Sequence, residues 1–263
     1  MRIATWNVNS LKARLGRVEH WLEVHRPEVL CLQETKLADD AFPAMAFEAL
    51  GYETFHHGQG RWNGVAIASR VGIEDPHPGF DDEDDPDPDA RVAWATCGGV
   101  RVCSVYVPNG RALDDPHYTY KLGWLARLRR NLDAGHDPAD PLVVTGDFNI
   151  APEDDDVWDV AAFAGSTHVS GPERAALGEL CAWGLEDLYH RHHDDGVRYS
   201  YWDYRGGAFH KREGMRIDLV LASAPLAARC TEVRVDREER RPKGNPAGGA
   251  PSDHAPVVAT FDD

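Results

Sequence analysis

Cysteine is scarce in this 263-residue chain: the five present, at 31, 97, 103, 181 and 230, form no CxxC pair, and Cys97 with Cys103 is too isolated for a zinc site. A disulfide scaffold is excluded, and a reduced, cytoplasmic, nucleoid-associated protein is expected. Long apolar runs are also missing. No stretch approaches the roughly 18 residues of a membrane helix, and Met-Arg-Ile-Ala-Thr-Trp6 leads into an alternating strand pattern rather than an export signal, so no membrane partner is expected. Cations are outnumbered: 28 Lys and Arg face 44 Asp and Glu, a formal charge of -16. That balance argues against indiscriminate coating of nucleic acid and leaves room for a local basic groove. There is no HExxH pair, no internal repeat, no serine nucleophile elbow, no reactive-cysteine signature and no phosphate-cradling GxxxxGK loop. No coiled-coil heptad marks a dimer interface, and a monomer is expected.

What is present suffices for one large domain, residues 1–263, with 42% hydrophobic positions. Short β-branched runs read as strands: Ile3–Val8, Val29–Gln33, Val65–Ser69, Val92–Ala95, Val100–Val107, Leu142–Thr145, Ile217–Leu221 and Val257–Phe261. Helical periodicity covers Leu11–His25, Tyr118–Leu132 and Arg174–Trp183. Strands between 52 and 107 follow one another without helices, so mixed sheets covered by helices are expected rather than an all-parallel sheet. Residues 81–89 carry seven acids and two prolines and read as an inert, exposed acidic loop without the glycine-centred spacing of a calcium site. Residues 240–251 read as a long surface loop. His56 and His57, and His190, His192 and His193, read as surface clusters.

Polar groups gather where apolar strands end. Asn7 and Asn9 follow the first strand, Gln33 and Glu34 the second, and Asp147 and Asn149 the run Leu142–Thr145. A carboxylate just beyond a buried strand needs a partner, and one hard divalent ion would serve several. Each position also has a plain structural reading: Glu34 as a helix cap, Asp147 and Asn149 as an Asx turn, Asp218 in a salt bridge to an arginine, Tyr106 in core packing. Asp253-His254 sits just before the last strand, and His254 is the histidine expected to act. Hard oxygen ligands, amides, a phenol and a histidine together suit metal-assisted hydrolysis of a phosphate ester.

Seven motifs in order, Trp6-Asn-Val-Asn9, Leu32-Gln-Glu-Thr-Lys36, Tyr106-Val-Pro-Asn-Gly110, Gly146-Asp-Phe-Asn149, Trp202-Asp-Tyr-Arg205, Arg216-Ile-Asp218 and Ser252-Asp-His-Ala-Pro256, resemble the exonuclease III family of apurinic/apyrimidinic endonucleases. The resemblance spans essentially the whole chain. It implies a DNase I-like four-layer α/β (α+β) sandwich, two packed mixed β-sheets flanked by helices. It implies Glu34 as the main ligand of Mg²⁺, for which Mn²⁺ may substitute, with Asn7 and Asp253 close to the ion. Asp147 would activate the attacking water, Asn149, Tyr106 and His254 would bind the scissile phosphate, and Asp218 would orient His254. Asn109, Tyr201, Trp202, Arg205, Met215 and Ile217 would contact DNA or line the abasic pocket, although Tyr201 and Trp202 also read as core aromatics. The implied reactions are cleavage 5′ to abasic sites in double-stranded DNA and removal of nucleotides and blocking groups from 3′ ends. A phosphatase or phosphodiesterase of the same fold, acting on a small or lipid phosphoester, is the rival reading. A basic DNA-facing rim is expected from Arg198, Arg205, Lys211, Arg212 and Arg216 and from Lys121, Arg127, Arg129 and Arg130, with the 81–89 loop projecting away from the duplex.

Overall fold

The β-branched runs become strands of two sheets in a computed structural model that describes residues 1–80, 87–193, 199–241 and 243–263. In the first sheet, β1 (Arg2–Asn7), β2 (Val29–Gln33), β3 (Glu53–His57), β4 (Val65–Ser69), β11 (Cys230–Val235) and β12 (Val257–Phe261) lie in the order β11-β12-β1-β2-β4-β3. In the second, β5 (Glu74–Pro78), β6 (Val92–Cys97), β7 (Val100–Tyr106), β8 (Leu142–Asp147), β9 (Leu185–Asp187) and β10 (Asp218–Ser223) lie in the order β5-β6-β7-β8-β10-β9. The helices are α1 (Leu11–His25), α2 (Ala44–Glu48), α3 (Pro116–Gly135), α4 (Gly171–Trp183), α5 (Leu188–His192), α6 (Ala208–Lys211) and α7 (Ala224–Ala227). Each sheet holds one parallel pair, β1 with β2 and β7 with β8, and the remaining named pairs are antiparallel. Helices α1 and α3 supply the crossovers that a parallel pair requires.

Burial follows from this layering. Strand β2 is buried along its whole length because both faces are covered: Val29 and Cys31 face the layer between the sheets, while Leu30 and Leu32 meet Leu11, Val18, Trp21 and Leu22 of α1. On the outer face of the second sheet, Trp124, Leu125, Leu128 and Leu132 of α3 and Leu177, Leu180 and Trp183 of α4 pack on Val105, Val144, Leu219 and Leu221. The layer between the sheets is not wholly apolar. Thr5 Oγ1 donates to Gln33 Oε1 (3.1 Å), Gln33 Nε2 donates to Ser104 Oγ (3.1 Å), and Ser104 Oγ donates to the Leu32 carbonyl (3.3 Å), joining β1, β2 and β7. Buried donors and acceptors of this kind cost roughly 1–3 kcal/mol each when left unmade.

Several expectations are corrected. No helix starts at Thr35, so Glu34 caps nothing. The His56 ring is largely covered, with Nδ1 2.8 Å from Asp39, and the half-buried His190 has Nε2 3.2 Å from Asp156. Residues 81–86 lie outside the described residues. The end of that acidic segment folds back on the molecule: Asp87 accepts a hydrogen bond from the Tyr120 hydroxyl (2.9 Å) and Asp89 pairs with Arg91 (3.0 Å).

Candidate active site

The two parallel pairs set the site. Their registers place Asn7 beside Gln33 and Tyr106 beside Asp147, and the antiparallel register of β10 places Asp218 opposite Asp147. Carboxyl ends of strands from both sheets therefore meet, the usual position for ligands on α/β sheets. A cavity of about 150 Å³ opens there, lined by Glu34, Tyr106, Asn109, Asp147, Asn149, His168, Tyr201, Met215, Ile217, Asp253 and His254.

Asn7 spans the two halves, its Nδ2 donating to Glu34 Oε1 and to Asp147 Oδ2, both at 2.9 Å. Lys36 Nζ is 2.8 Å from Glu34 Oε2 and reaches Asn9 Oδ1, while Asn9 Nδ2 donates to Asp253 Oδ1 (3.0 Å). Across the cavity, the backbone N–H of Asn149 donates to Asp147 Oδ1 (2.9 Å), and the Asn149 side chain is fixed by donating to the Val107 carbonyl and accepting from Asn109 Nδ2, both at 3.0 Å. The expected Asx turn is thus present, and it orients the same residues that line the cavity. His254 Nδ1 faces Asp218 Oδ2 at 2.8 Å, leaving Nε2 directed at Asp147 Oδ2 at 3.8 Å. Asp218 is paired with this histidine rather than with an arginine.

Strain concentrates here. Asn9, Ser10, Glu34, Lys36, Asn149 and His168 all have positive φ without being glycine, and several such residues at one place mark a site the surrounding structure holds under load. Electrostatics agree. Burial, reinforced by the charges of Asp218 and Glu34 against the opposing pull of His254, pushes Asp147 up to about 7. Burial acts against a charged His254, yet Asp218 and Asp147 outweigh it and raise the imidazole to about 10. Burial opposes ionisation of Glu34 too, but Lys36 and the Asn7 amide hold it below its ordinary value. Burial and the neighbouring carboxylates push the Tyr106 phenol well up, so it remains a donor at neutral pH.

The ligand atoms of Asp147, Asp218 and His254 lie within 4.8 Å of one another. Around them, the carboxylates of Glu34, Asp147, Asp218 and Asp253 are compensated by Lys36 and His254 alone among the groups just described. An oxygen-rich donor set with excess negative charge fits a hard divalent cation, which Glu34, with Asn7 bonded to it and Asp253 in the same cavity, could hold.

Of the residues singled out from sequence, Trp202 and Arg205 do not line this cavity. Trp202 is buried against Phe209 in the layer between the sheets, and Arg205 is exposed on the loop before α6. Met215 and Ile217 form an apolar wall with Ala151 and Val157, against which Tyr201 packs. The expected basic rim is also revised. Lys121 is wholly buried, donating to the Asn149 carbonyl (2.6 Å) and paired with Glu173. Arg216 is buried between Asp156 and Asp187, and Arg198 lies outside the described residues. Lys121 acts instead by fixing the backbone of Asn149. His168 was not anticipated: its Nδ1 is 2.6 Å from the Asn149 carbonyl, and burial beside Lys121 lowers it to about 4, so the ring is neutral. Its positive φ and its remote loop position left no local pattern to find it by.

Residues 4–254 match the model of the Endonuclease/Exonuclease/phosphatase family. Exodeoxyribonuclease III of Haemophilus influenzae is 33% identical, covering 99% of this chain and all of that protein. Among solved structures, the 3′ phosphatase NExo from Neisseria bound to a product DNA hairpin is 43% identical with a TM-score of 0.93, and an AP endonuclease from Archaeoglobus fulgidus is 37% identical with a TM-score of 0.94, each covering both chains completely. The shared fold, the full-length match and the convergence of strand ends from two sheets place this chain in the endonuclease/exonuclease/phosphatase family, on the branch of exodeoxyribonuclease III.

Proposed function

We propose that residues 1–263 act as one domain that hydrolyses phosphodiesters of double-stranded DNA with a bound Mg²⁺, releasing nucleotides and blocking groups from 3′ ends and cutting 5′ to abasic sites. The observation that carries this reading is the pairing of Asp147 with the Asp218–His254 couple in one cavity, opposite Glu34. Asp147, pushed up to about 7, is suited to accept the proton of an attacking water near neutral pH. His254, held as an imidazolium by Asp218, supplies a charged donor to a phosphate oxygen through Nε2. The Tyr106 hydroxyl, which lines the cavity, and the Asn149 amide, fixed by its neighbours, add donors where negative charge grows in the transition state. Mg²⁺, when bound, supplies charge neutralisation of the phosphoryl group and leaving oxygen. Tyr201, Met215 and Ile217 offer an apolar wall to a sugar that carries no base.

The test is a gel assay on three duplexes, one with an abasic analogue, one with a recessed 3′-hydroxyl and one with a 3′-phosphate. Each is run with Mg²⁺, with EDTA and with Glu34→Gln. Product on any duplex that requires Mg²⁺ and is lost in Glu34→Gln supports hydrolysis of DNA phosphoesters, and the three duplexes apportion the activities. Turnover of a small phosphoester with all three duplexes untouched would overturn the DNA reading.

A further inference from the structure

We propose a second phosphate-binding site: the groove that α6 and Arg212 form with Arg237, Arg241 and Lys243 holds the backbone of duplex DNA flanking the scissile bond, an assignment that rests on the nuclease reading above. The groove has a volume of about 560 Å³ and is lined by Phe209, His210, Arg212, Arg237, Arg241 and Lys243. Four permanent cations thus face one hollow on a chain whose formal charge is -16. One nearby carboxylate is engaged, Glu238 with Arg241 at 2.7 Å, and Glu213 lies 3.9 Å from Lys211. Arg212 and Lys243 make no ion pair among the described residues. Burial and the like charges of Arg212 and Arg241 lower the Arg237 guanidinium despite Glu238, a crowding of cations that an anion would relieve.

Position argues for the DNA backbone. A hollow of about 220 Å³, lined in part by Asp203, Tyr204, Arg240 and Pro251, shares Phe209 and His210 with the groove. Asp203 is two residues from Tyr201, and Pro251 two from Asp253, both of the catalytic cavity, on segments joined by the hydrogen bond from Trp202 N to the Asp253 carbonyl (2.9 Å). Hollow and groove therefore adjoin, and these two segments link the hollow to the catalytic cavity. Two extended residues span about 7 Å, roughly two nucleotide rises of about 3.4 Å along one strand, so the hollow begins about two nucleotides from the catalytic cavity and the groove adjoins the hollow. Its chemistry suits phosphates rather than bases. The Phe209 ring is already covered by Arg237 (4.1 Å) and Arg240 (5.3 Å) and meets Trp202 edge-on, which leaves cations without a stacking platform.

The test compares wild type, Arg212→Gln, the triple variant Arg212→Gln/Arg241→Gln/Lys243→Gln and a control, Arg70→Gln/Arg191→Gln, on DNA hairpins with stems of about 4 and about 16 base pairs, chosen to end short of or beyond the groove at about 3.4 Å per pair. Binding is titrated in EDTA over a range of salt, and cleavage is measured with Mg²⁺. For the long stem, the slope of log K against log salt is expected to fall by about 1 in Arg212→Gln and by about 2–3 in the triple variant, with KM raised about 10-fold or more and kcat unchanged. The short stem and the control should match wild type. Equal slopes in the triple variant and wild type on the long stem would overturn the groove assignment. Groove-dependent binding of a long stem that wild type does not cut would instead retain the groove and overturn the nuclease reading.

Discussion

Gly146 precedes Asp147 with φ of 151°, and a Cβ built there would lie 1.9 Å from the Val105 carbonyl oxygen of the neighbouring strand. Alanine at this position must push β7 and β8 apart at the point where both deliver site residues. Gly146→Ala should cost about 1–3 kcal/mol in urea denaturation and lower kcat in the fraction that folds. Asp147→Asn separates chemistry from fold more cleanly, because an amide keeps the shape and cannot accept the water's proton. Its kcat should fall by about 10²–10⁴-fold with KM little changed, and the urea midpoint should move only as far as the loss of one of the two hydrogen bonds that Asp147 accepts requires. A retained rate would remove Asp147 from the role of base.

Elements transmit support to the site over long stretches of sequence. Helix α4 begins with a capping box in which Ser170 and Glu173 exchange hydrogen bonds, and Glu173 then meets Lys121 of α3, whose ammonium holds the Asn149 carbonyl. A second brace ties the loop after β8 to β9 and α5: Arg216 bonds to both oxygens of Asp156 and both of Asp187. Burial opposes ionisation of Asp156, but hydrogen bonds from His190 and Arg216 hold it at about 2. Its folded value lies below the ordinary 3.8, so its contribution is full above pH 3.8 and is lost as pH falls through about 2. The stability difference between wild type and Asp156→Asn, followed by urea denaturation, should shrink across that window by an amount approaching about 2 kcal/mol. A constant difference would show that the brace does not depend on ionised Asp156.

The same elements explain what could be read in advance. Glu34 and Asp147 were legible because a charge at the end of an apolar strand breaks a strong pattern, and β2 and β12 have the boundaries that their β-branched runs announce. Strand β5, Glu-Asp-Pro-His-Pro78, has no such run, since an exposed edge strand needs neither apolar alternation nor every backbone N–H. Lys121 was misread as a surface cation although it shares the helical stripe of Trp124, Leu125, Leu128 and Leu132, a spacing that predicts burial. His168 and the groove cations at 237–243 are joined to their neighbours only by tertiary folding, so composition counts along the chain could not group them.

At the scale of the whole molecule, net charge and local charge separate: a chain of formal charge -16 carries a groove lined by Arg212, Arg237, Arg241 and Lys243. The cluster of carboxylates also links metal to stability. Mg²⁺ that binds the folded site alone should raise Tm, by about 2.7 kcal/mol of added stability at 100-fold above Kd, and Glu34→Gln should abolish most of that rise in a thermal melt without DNA. No helix among the described residues is long and apolar enough to cross a membrane.

Strand β1 lies between β2 and β12, so a segment at residues 2–7 completes its pairing only with residues 257–261. In chain order Asn7 and Glu34 come well before Ser252-Asp-His254, and the first sheet, which seats both, leaves β1 unpaired on one side until β12 is added. Closure of the first sheet thus waits on β12: a chain without residues 257–261 would leave one edge of β1 bare and the segment that carries His254 without the strand that follows it.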